Sequence, residues 1–203
     1  MNALILPSSG KITHIIHISD IHIKTGDLEK SRYNDYQQTI TNLEQIISNL
    51  PFVKNHTAIT ILCGDVFDTK DKLNSFSVKL FYILINMIAK YTPLYFFQGN
   101  HDVVQSQADS IDMIPSLLTG YTNPYVCYLD KTGLYTAGNV GIGFVNIKDT
   151  LILGNGSGHL EQLPPFPDAT QFPAEIVHKI AVYSSNGNFN NTLYSPPSTS
   201  RLI

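Results

Sequence analysis

The chain contains three short apolar runs, and each of them ends in a cluster of acidic, amide or imidazole side chains. The runs cover residues 13–18, 57–62 and 93–98. They are rich in β-branched and aromatic residues, and turn-forming residues bound them, which is typical of buried strands. Polar residues therefore follow directly at the end of each predicted strand.

Two amphipathic segments separate the three runs. Residues 34–50 and 74–90 carry apolar side chains at the three- and four-residue spacing of a helix, and Pro51 ends the first segment. The resulting order of strand, helix, strand, helix, strand predicts parallel strands joined by right-handed crossovers. All three polar clusters should therefore meet at one edge of the sheet, where ligands bind in open α/β sheets.

The pattern changes after the third run. A short helix interrupted by Pro115 is predicted over residues 108–118. Short β-like pieces follow at 125–129, 133–136 and 140–147, which we interpret as an antiparallel meander and the start of a second sheet. A last strand is predicted at 179–183. The sequence thus predicts an α/β fold with a mainly parallel sheet flanked by helices and part of a second sheet.

Length and composition predict one domain. A chain of 203 residues with 43% hydrophobic content is too short for two domains of ordinary size. Residues 184–203 are dominated by Ser, Asn, Thr and Pro, so we predict a domain over residues 1–183 and a disordered tail over 184–203. No apolar stretch approaches the roughly 18 residues of a membrane span, and no signal peptide is recognisable. We therefore expect an intracellular protein, cytoplasmic or nuclear, without a membrane partner.

The net charge of −3 argues against a broadly basic surface for nucleic acids. Local cations nevertheless follow the first two polar clusters. Lys24, Arg32 and Lys70 are our candidates for substrate binding at the rim of the site. Solvated loop charges are an equally good interpretation of the same residues.

The polar clusters contain residue types that bind metal ions. Asp20 and His22 are two residues apart, so on an extended segment both side chains point to the same side. Asp65 follows a buried strand, where its carboxylate can bridge two cations, and Asn100 offers a neutral oxygen. Taken singly, each residue also fits a plain polar turn. Their joint order on successive strand ends favours a common site.

Three further polar residues complete the clusters. His101 is a candidate metal ligand or proton donor, and Asp102 is expected to fix the tautomer of its imidazole. Asp68 is interpreted as a turn or helix-cap residue. The mixture of carboxylate, amide and imidazole ligands suits Mn²⁺, Fe²⁺ or Zn²⁺ better than Ca²⁺, and two ions about 3.5–4 Å apart would suit hydrolysis of a phosphate ester.

The three clusters together resemble known motifs. Ser19-Asp-Ile-His22, Gly64-Asp-Val-Phe-Asp68 and Gly99-Asn-His-Asp102 resemble the first three motifs of the calcineurin-like metallophosphoesterases. The residue Phe67 and the helix lengths further resemble the SbcD-type nucleases of DNA double-strand-break repair. The resemblance covers residues 12–150 and implies an incomplete form of the family's four-layer sandwich.

The resemblance also implies roles for individual residues. Asp20 and His22 would hold a first metal ion, Asp65 would bridge, and Asn100 would hold a second. His101 would stabilise or protonate the leaving oxygen, with Asp102 beside it. Two divalent ions are implied, with Mn²⁺ expected and Fe²⁺, Zn²⁺ or Mg²⁺ as alternatives. The implied substrate is a phosphate ester, and the implied nucleic-acid partner is DNA.

The chain departs from the family pattern after residue 150. The family has a metal-binding histidine after a later strand and then a Gly-His-x-His pair, but Ser184 and Ser185 follow the predicted strand here, and no Gly-His-x-His occurs. We interpret the chain as the N-terminal part of a phosphoesterase whose remaining half was lost by truncation or an altered reading frame. Missing ligands put its activity in doubt.

Three functions therefore stay open at this point. The first is a nuclease-type metal-dependent phosphoesterase that hydrolyses phosphodiester bonds. The second is a catalytically disabled interaction module or gene remnant, for which a protein partner or a dimer is undetermined. The third is a phosphatase for a small nucleotide or a phosphoprotein, which would use the same residues and differ in its loops.

Overall fold

A computed structural model describes most of the predicted elements. The described residues are 2–3, 11–24, 30–69, 72–103, 112–149, 169–172, 174, 176–183 and 200–202. In chain order the elements are β1 (Asn2–Ala3), β2 (His14–Ile18), α1 (Lys30–Asn49), α2 (Pro51–Lys54), β3 (Ala58–Cys63), α3 (Ser75–Ala89), β4 (Leu94–Phe97), α4 (Met113–Leu118), β5 (Val126–Tyr128), β6 (Gly133–Ala137), β7 (Val140–Val145), β8 (His178–Tyr183) and β9 (Ser200–Leu202). A 3₁₀ turn covers Ala169–Gln171.

The first sheet has four parallel strands in the order β2-β3-β4-β5. Helix α1 lies between β2 and β3 in the chain, and α3 lies between β3 and β4. The predicted alternation of strands and helices is confirmed, and so is the α/β fold class. Because β2, β3 and β4 are parallel, their carboxyl ends lie at one edge of the sheet.

The first sheet is buried on both faces, which explains its continuous apolar runs. In β3, Ala58 and Leu62 face the hydrophobic core that contains α1 and α3. Ile59 and Ile61 alternate with them and face a second core, which the other sheet shares. The architecture is therefore helices, sheet and second sheet in successive layers.

The helix boundaries follow from capping. Asn74 caps α3 and forms a reciprocal capping box with Ser77, whose main-chain N–H donates to the Asn74 side chain over 2.8 Å. Helix α1 ends at Asn49, just before Pro51, which occupies the first turn of α2. The predicted helices at 34–50 and 74–90 thus exist, although α1 begins four residues earlier than predicted.

The second sheet has five strands in the order β1-β6-β7-β8-β9. Strands β6 and β7 form an antiparallel hairpin, whereas β8 runs parallel to β7. The predicted antiparallel meander is therefore correct only for β6 and β7. Residues 126–128 belong instead to the first sheet as β5, parallel to β4. Helix α4 lies between β4 and β5 in the chain, and β5 runs in the same direction as β4. Because the segment after α4 is rich in turn residues, the sequence pattern did not indicate this crossover.

The region around Pro115 also differs from the prediction. Pro115 does not interrupt a helix, because α4 begins at Met113 and Pro115 lies in its first turn, where no main-chain N–H is needed. Asp112 caps this helix and its side chain accepts a hydrogen bond from the N–H of Ile114. Residues 104–111, which include the predicted start of the helix, lie outside the described part.

Within the predicted tail, the structure describes three residues. Ser200–Leu202 form β9, which pairs in parallel with β8. Residues 184–199 lie outside the described part, so the domain boundary at 183 stays a prediction. Within the described residues, no helix combines the length and apolar character that crossing a membrane requires.

Candidate metal centre

The loops after β2 and β3 continue the pairing of their strands. The main-chain N–H of His22 donates to the carbonyl of Asp65 over 3.0 Å, and that of Ile23 donates to Val66 over 2.8 Å. The N–H of Asp68 in turn donates to the carbonyl of Ile23 over 3.0 Å. The register of the sheet therefore extends past the strand ends and sets the positions of both loops.

This pairing brings three candidate ligands together. Asp20, His22 and Asp65 each offer one oxygen or nitrogen, and these atoms lie within 4.8 Å of one another. The side chain of Asp20 is 66% exposed, whereas that of His22 is 33% exposed. The cluster therefore lies at an open edge of the first sheet, as the parallel order of the strands requires.

The same three residues have strained backbones. The φ angles are +57° at Asp20, +48° at His22 and +50° at Asp65, a region that non-glycine residues rarely adopt. Each such residue costs about 1–3 kcal/mol and persists where the surroundings impose it, most often at functional sites. The side chains at these turns are therefore retained at a cost in folding free energy.

The third loop packs against the second through glycine. A Cβ atom at Gly99 would lie 2.1 Å from Oδ1 of Asp65 and 2.4 Å from its main-chain nitrogen. A Cβ atom at Gly64 would lie 2.6 Å from the Cα of Gly99. This close approach lets the main-chain N–H of His101 donate to Oδ1 of Asp65 over 2.9 Å. Glycine at position 99 is thus required for the position of the Asp65 carboxylate.

Asp102 contacts main-chain groups of the second and third loops, and its predicted catalytic role stays a prediction. It is buried, and its carboxylate accepts hydrogen bonds from the N–H groups of Gly99 (2.9 Å), Phe67 (2.9 Å) and Val66 (3.3 Å). Burial raises the pKa of Asp102 to about 6, although the three N–H groups act in the opposite direction. Asp102 therefore joins the second loop to the third through their main chains.

The orientation of His101 depends on Asp68, not on Asp102. Nδ1 of His101 lies 3.0 Å from the main-chain carbonyl of Asp68. The prediction that Asp102 fixes the His101 tautomer is therefore wrong. The rings of His101 and His22 meet edge to face, with their centroids 4.8 Å apart.

Asp68 is a site residue that our sequence interpretation missed. Its Oδ2 accepts a hydrogen bond from Nζ of Lys24 over 2.8 Å, and its Oδ1 lies 4.0 Å from Nδ1 of His22. Its interpretation as a turn or cap residue stays a prediction. Its contact with His22 depends on the pairing of the two loops, which the spacing along the chain does not reveal.

The remaining predicted residues are placed in part. Asn100 lies half-buried between Gly99 and His101. Lys24 lies beside the cluster, where its ammonium group pairs with Asp68, and Arg32 is exposed on α1. Lys70 lies outside the described residues. The catalytic, metal-binding and substrate-binding roles of these residues stay predictions.

The donor set fits a divalent cation. Ligands of one ion lie about 2.0–2.2 Å from it, hence at most about 4.4 Å apart, so a spacing of 4.8 Å needs only a small contraction. Two carboxylates this close repel each other unless a cation lies between them. Burial and the negative charge of Asp20 raise the pKa of the neighbouring Cys63 thiol to about 12. The cluster consists of two carboxylates and an imidazole, so its donors are oxygen and nitrogen.

Most of the chain matches a known protein family. A family model described as calcineurin-like phosphoesterase matches residues 13–191. The chain belongs to this family. A search of curated proteins found no match. The family assignment and the Asp20, His22 and Asp65 cluster together indicate a metal-dependent phosphoesterase.

Proposed function

We propose that this member of the calcineurin-like phosphoesterases hydrolyses phosphodiester bonds in DNA with divalent metal ions. The observation that carries the proposal is the convergence of Asp20, His22 and Asp65 within 4.8 Å on three strained positions of one sheet edge. The motif resemblance to SbcD-type nucleases supports DNA as the substrate. The 66% exposure of Asp20 supports access by a polymer.

The proposal assigns the residues as follows. Asp20 and His22 would hold a first ion, Asp65 would contact both ions, and Asn100 would hold a second. Mn²⁺ is the ion we propose, because mixed oxygen and imidazole ligands suit it. When bound, divalent ions supply positive charge that stabilises the negative charge developing on the phosphoryl oxygens.

His101 would supply the proton for the leaving oxygen. Its Nδ1 faces the carbonyl of Asp68 at 3.0 Å, so this nitrogen carries a proton and the ring is held in one orientation. To protonate the leaving oxygen the ring would have to be the imidazolium, which would give up the proton on Nε2 and return to the neutral form protonated on Nδ1. Lys24 is a candidate for contacting the phosphate backbone, and its pairing with Asp68 would have to loosen for that contact.

A non-catalytic binding module is the second candidate. The sequence observation that favours it is the absence of any Gly-His-x-His among the 203 residues. A site with fewer ligands would still bind an ion through Asp20, His22 and Asp65, but more weakly. The number of ions bound and the presence of hydrolysis distinguish the two candidates.

The first test is calorimetric titration with Mn²⁺ of the wild-type chain, of Asp65→Ala and of Asp35→Ala. Asp35 is exposed on α1, so its loss controls for the removal of one negative charge. We expect saturable binding by the wild type and by Asp35→Ala, and no binding by Asp65→Ala. A stoichiometry of two supports the shared role of Asp65, and a stoichiometry of one contradicts it. Equal binding by all three proteins would contradict the proposed site.

The second test compares substrates in the presence of Mn²⁺. Single-stranded DNA and p-nitrophenyl phosphate are incubated with the wild type, Asp65→Ala and Asp35→Ala. Cleavage of DNA that Asp65→Ala abolishes and Asp35→Ala retains supports the nuclease. Cleavage of p-nitrophenyl phosphate alone supports a monoester phosphatase. Ion binding without hydrolysis of either substrate supports the non-catalytic module and contradicts the enzyme.

A further inference from the structure

The imidazole of His22 lies between two carboxylates, one facing each ring nitrogen. Nε2 lies 3.8 Å from Oδ1 of Asp20, and Nδ1 lies 4.0 Å from Oδ1 of Asp68. Nδ1 is buried and has no hydrogen-bond partner among the described residues. Because buried polar atoms are usually satisfied, this nitrogen marks a position where a small movement completes an interaction.

The two nitrogens cannot have the same role in metal binding. A neutral imidazole carries one proton, and the nitrogen that binds a metal must be the one without it. Nε2 faces Asp20, a member of the ligand cluster, so it is the nitrogen suited to the ion. Nδ1 must then carry the proton, and metal-binding histidines commonly donate this proton to a carboxylate or carbonyl.

Asp68 is the carboxylate placed to accept that proton. Its Oδ2 is occupied by Nζ of Lys24 at 2.8 Å, which leaves Oδ1 directed towards the histidine. The loop itself is attached to α1, because the hydroxyl of Tyr36 donates to the carbonyl of His22 over 2.7 Å and accepts from the N–H of Lys24 over 3.2 Å. The side chain of Asp68 and the ring of His22 thus face each other from two paired loops.

We propose that Asp68 is a positioning residue for the metal ligand His22. Its carboxylate accepts the Nδ1 proton of His22 and thereby keeps the lone pair of Nε2 free for a divalent cation, while Lys24 orients Asp68. Shortening the distance from 4.0 Å to an ordinary charge-assisted length of about 2.8 Å is the movement required. This inference rests on the metal binding in the proposed function.

The alternative proton acceptor explains why Asp68 matters. Without Asp68, a carboxylate that remains beside the ring is that of Asp20, which faces Nε2 at 3.8 Å. The proton of His22 would then move to Nε2 and block the nitrogen that binds the ion. The main-chain carbonyl of Asp68 accepts from Nδ1 of His101, and a side-chain substitution leaves that carbonyl in place. The effect on His22 can therefore be separated from any effect on His101.

The experiment measures Mn²⁺ affinity by calorimetry for the wild type, Asp68→Asn, Asp68→Ala, Lys24→Met and Lys54→Met. Lys54 is exposed on α2, which precedes β3 and so lies at the opposite end of the sheet. We expect affinity to fall about 10-fold in Asp68→Asn, which keeps an acceptor oxygen without the charge, and about 100-fold in Asp68→Ala. Lys24→Met should lose about 3-fold, since the pair is partly exposed, and Lys54→Met should not change.

A second measurement reads the tautomer directly. The ¹⁵N shifts of the His22 ring in metal-free protein should show the proton on Nδ1 in the wild type and in Asp68→Asn. In Asp68→Ala the proton should move to Nε2. A merely structural role for Asp68 would lower the melting temperature and leave the tautomer unchanged.

The outcomes separate this inference from the proposed function. If the wild type binds no Mn²⁺, the proposed function fails, and the tautomer measurement still decides the role of Asp68. If the wild type and Asp68→Ala bind Mn²⁺ equally, the positioning role is wrong and the metal site stands. An unchanged tautomer in Asp68→Ala also overturns the inference. Should Asp68→Ala not fold, wild-type affinity in both Asp68→Asn and Lys24→Met overturns it.

Discussion

Two regions of the molecule place positive φ angles on different residue types. One is the edge of the first sheet that carries Asp20, His22 and Asp65, here called the metal-binding edge, and the other is the β6–β7 hairpin of the second sheet. Both need residues with positive φ. The hairpin uses Gly138, at +58°, for which the conformation carries no steric cost. The edge uses Asp20, His22 and Asp65. At this edge, strain is retained at positions whose side chains form the candidate site, whereas the hairpin turn avoids it with glycine.

The two regions also use small residues differently. At the edge, Gly99 is enclosed by the backbone and carboxylate of Asp65. In the hairpin, a Cβ atom at Gly133 would meet Cε2 of Tyr135 at 3.8 Å, an ordinary contact. Substitution should therefore be far more damaging at Gly99 than at Gly133.

Gly99→Ala should have the largest effect. A Cβ atom 2.1 Å from Oδ1 of Asp65 cannot be accommodated without moving the loop, so we expect a loss of about 4 kcal/mol in the free energy of unfolding and no Mn²⁺ binding. Gly133→Ala is the matched control and should change stability by less than about 1 kcal/mol. Denaturant unfolding measures both, and equal effects would contradict the contrast between the regions.

Asp102→Ala should have the next largest effect, on stability. Removing its carboxylate leaves the buried N–H groups of Gly99, Phe67 and Val66 without their acceptor, which should cost about 3 kcal/mol. Asp20→Ala, by contrast, removes an exposed carboxylate and should abolish Mn²⁺ binding with little change in stability. Thermal unfolding and calorimetry together distinguish the structural acid from the ligand, and a loss of stability in Asp20→Ala comparable to that in Asp102→Ala would contradict this division.

The dependence of stability on pH should show the effect of a third carboxyl group, that of Asp112. Burial raises the pKa of Asp112. The hydrogen bond from Tyr128 and the ammonium group of Lys148, 3.5 Å away, lower the pKa by a smaller amount. The folded state then binds more protons than the unfolded state above about pH 4, so stability falls as pH rises through the pKa of the folded protein. Asp112→Asn cannot ionise.

The deficit of Asp112→Asn relative to the wild type should therefore shrink from pH 4 to pH 7. Urea unfolding at several pH values measures this. A deficit that grows with pH would mean that the pair with Lys148 outweighs the burial of Asp112.

His56→Gly should have the smallest effect and the opposite sign. His56 is exposed and has φ of +55°, but it lies after α2, away from the metal-binding edge. Relief of strain should exceed the added entropy of the unfolded chain and stabilise the protein by about 0.5 kcal/mol. Its neighbour Asn55 has φ of −87°, so Asn55→Gly should destabilise by a similar amount. If both variants are destabilised alike, positive φ costs little in this protein.

The sequence alone determined the order of elements and the strand ends that carry polar residues. Apolar runs and helical spacing identified β2, β3, β4, α1 and α3, because these patterns are local along the chain. The parallel order of the strands then required Asp20 and Asp65 to lie on one edge. The family resemblance followed from the same three motifs.

Only the tertiary structure decided what each polar side chain contacts. The acceptor near His101 is the main-chain carbonyl of Asp68 from another loop, and the burial of Asp102 depends on the packing of two loops. The placement of β5 in the first sheet likewise depended on a crossover that local pattern does not reveal. Contacts between residues more than thirty positions apart arise from packing, and spacing along the chain carries no direct signal for them.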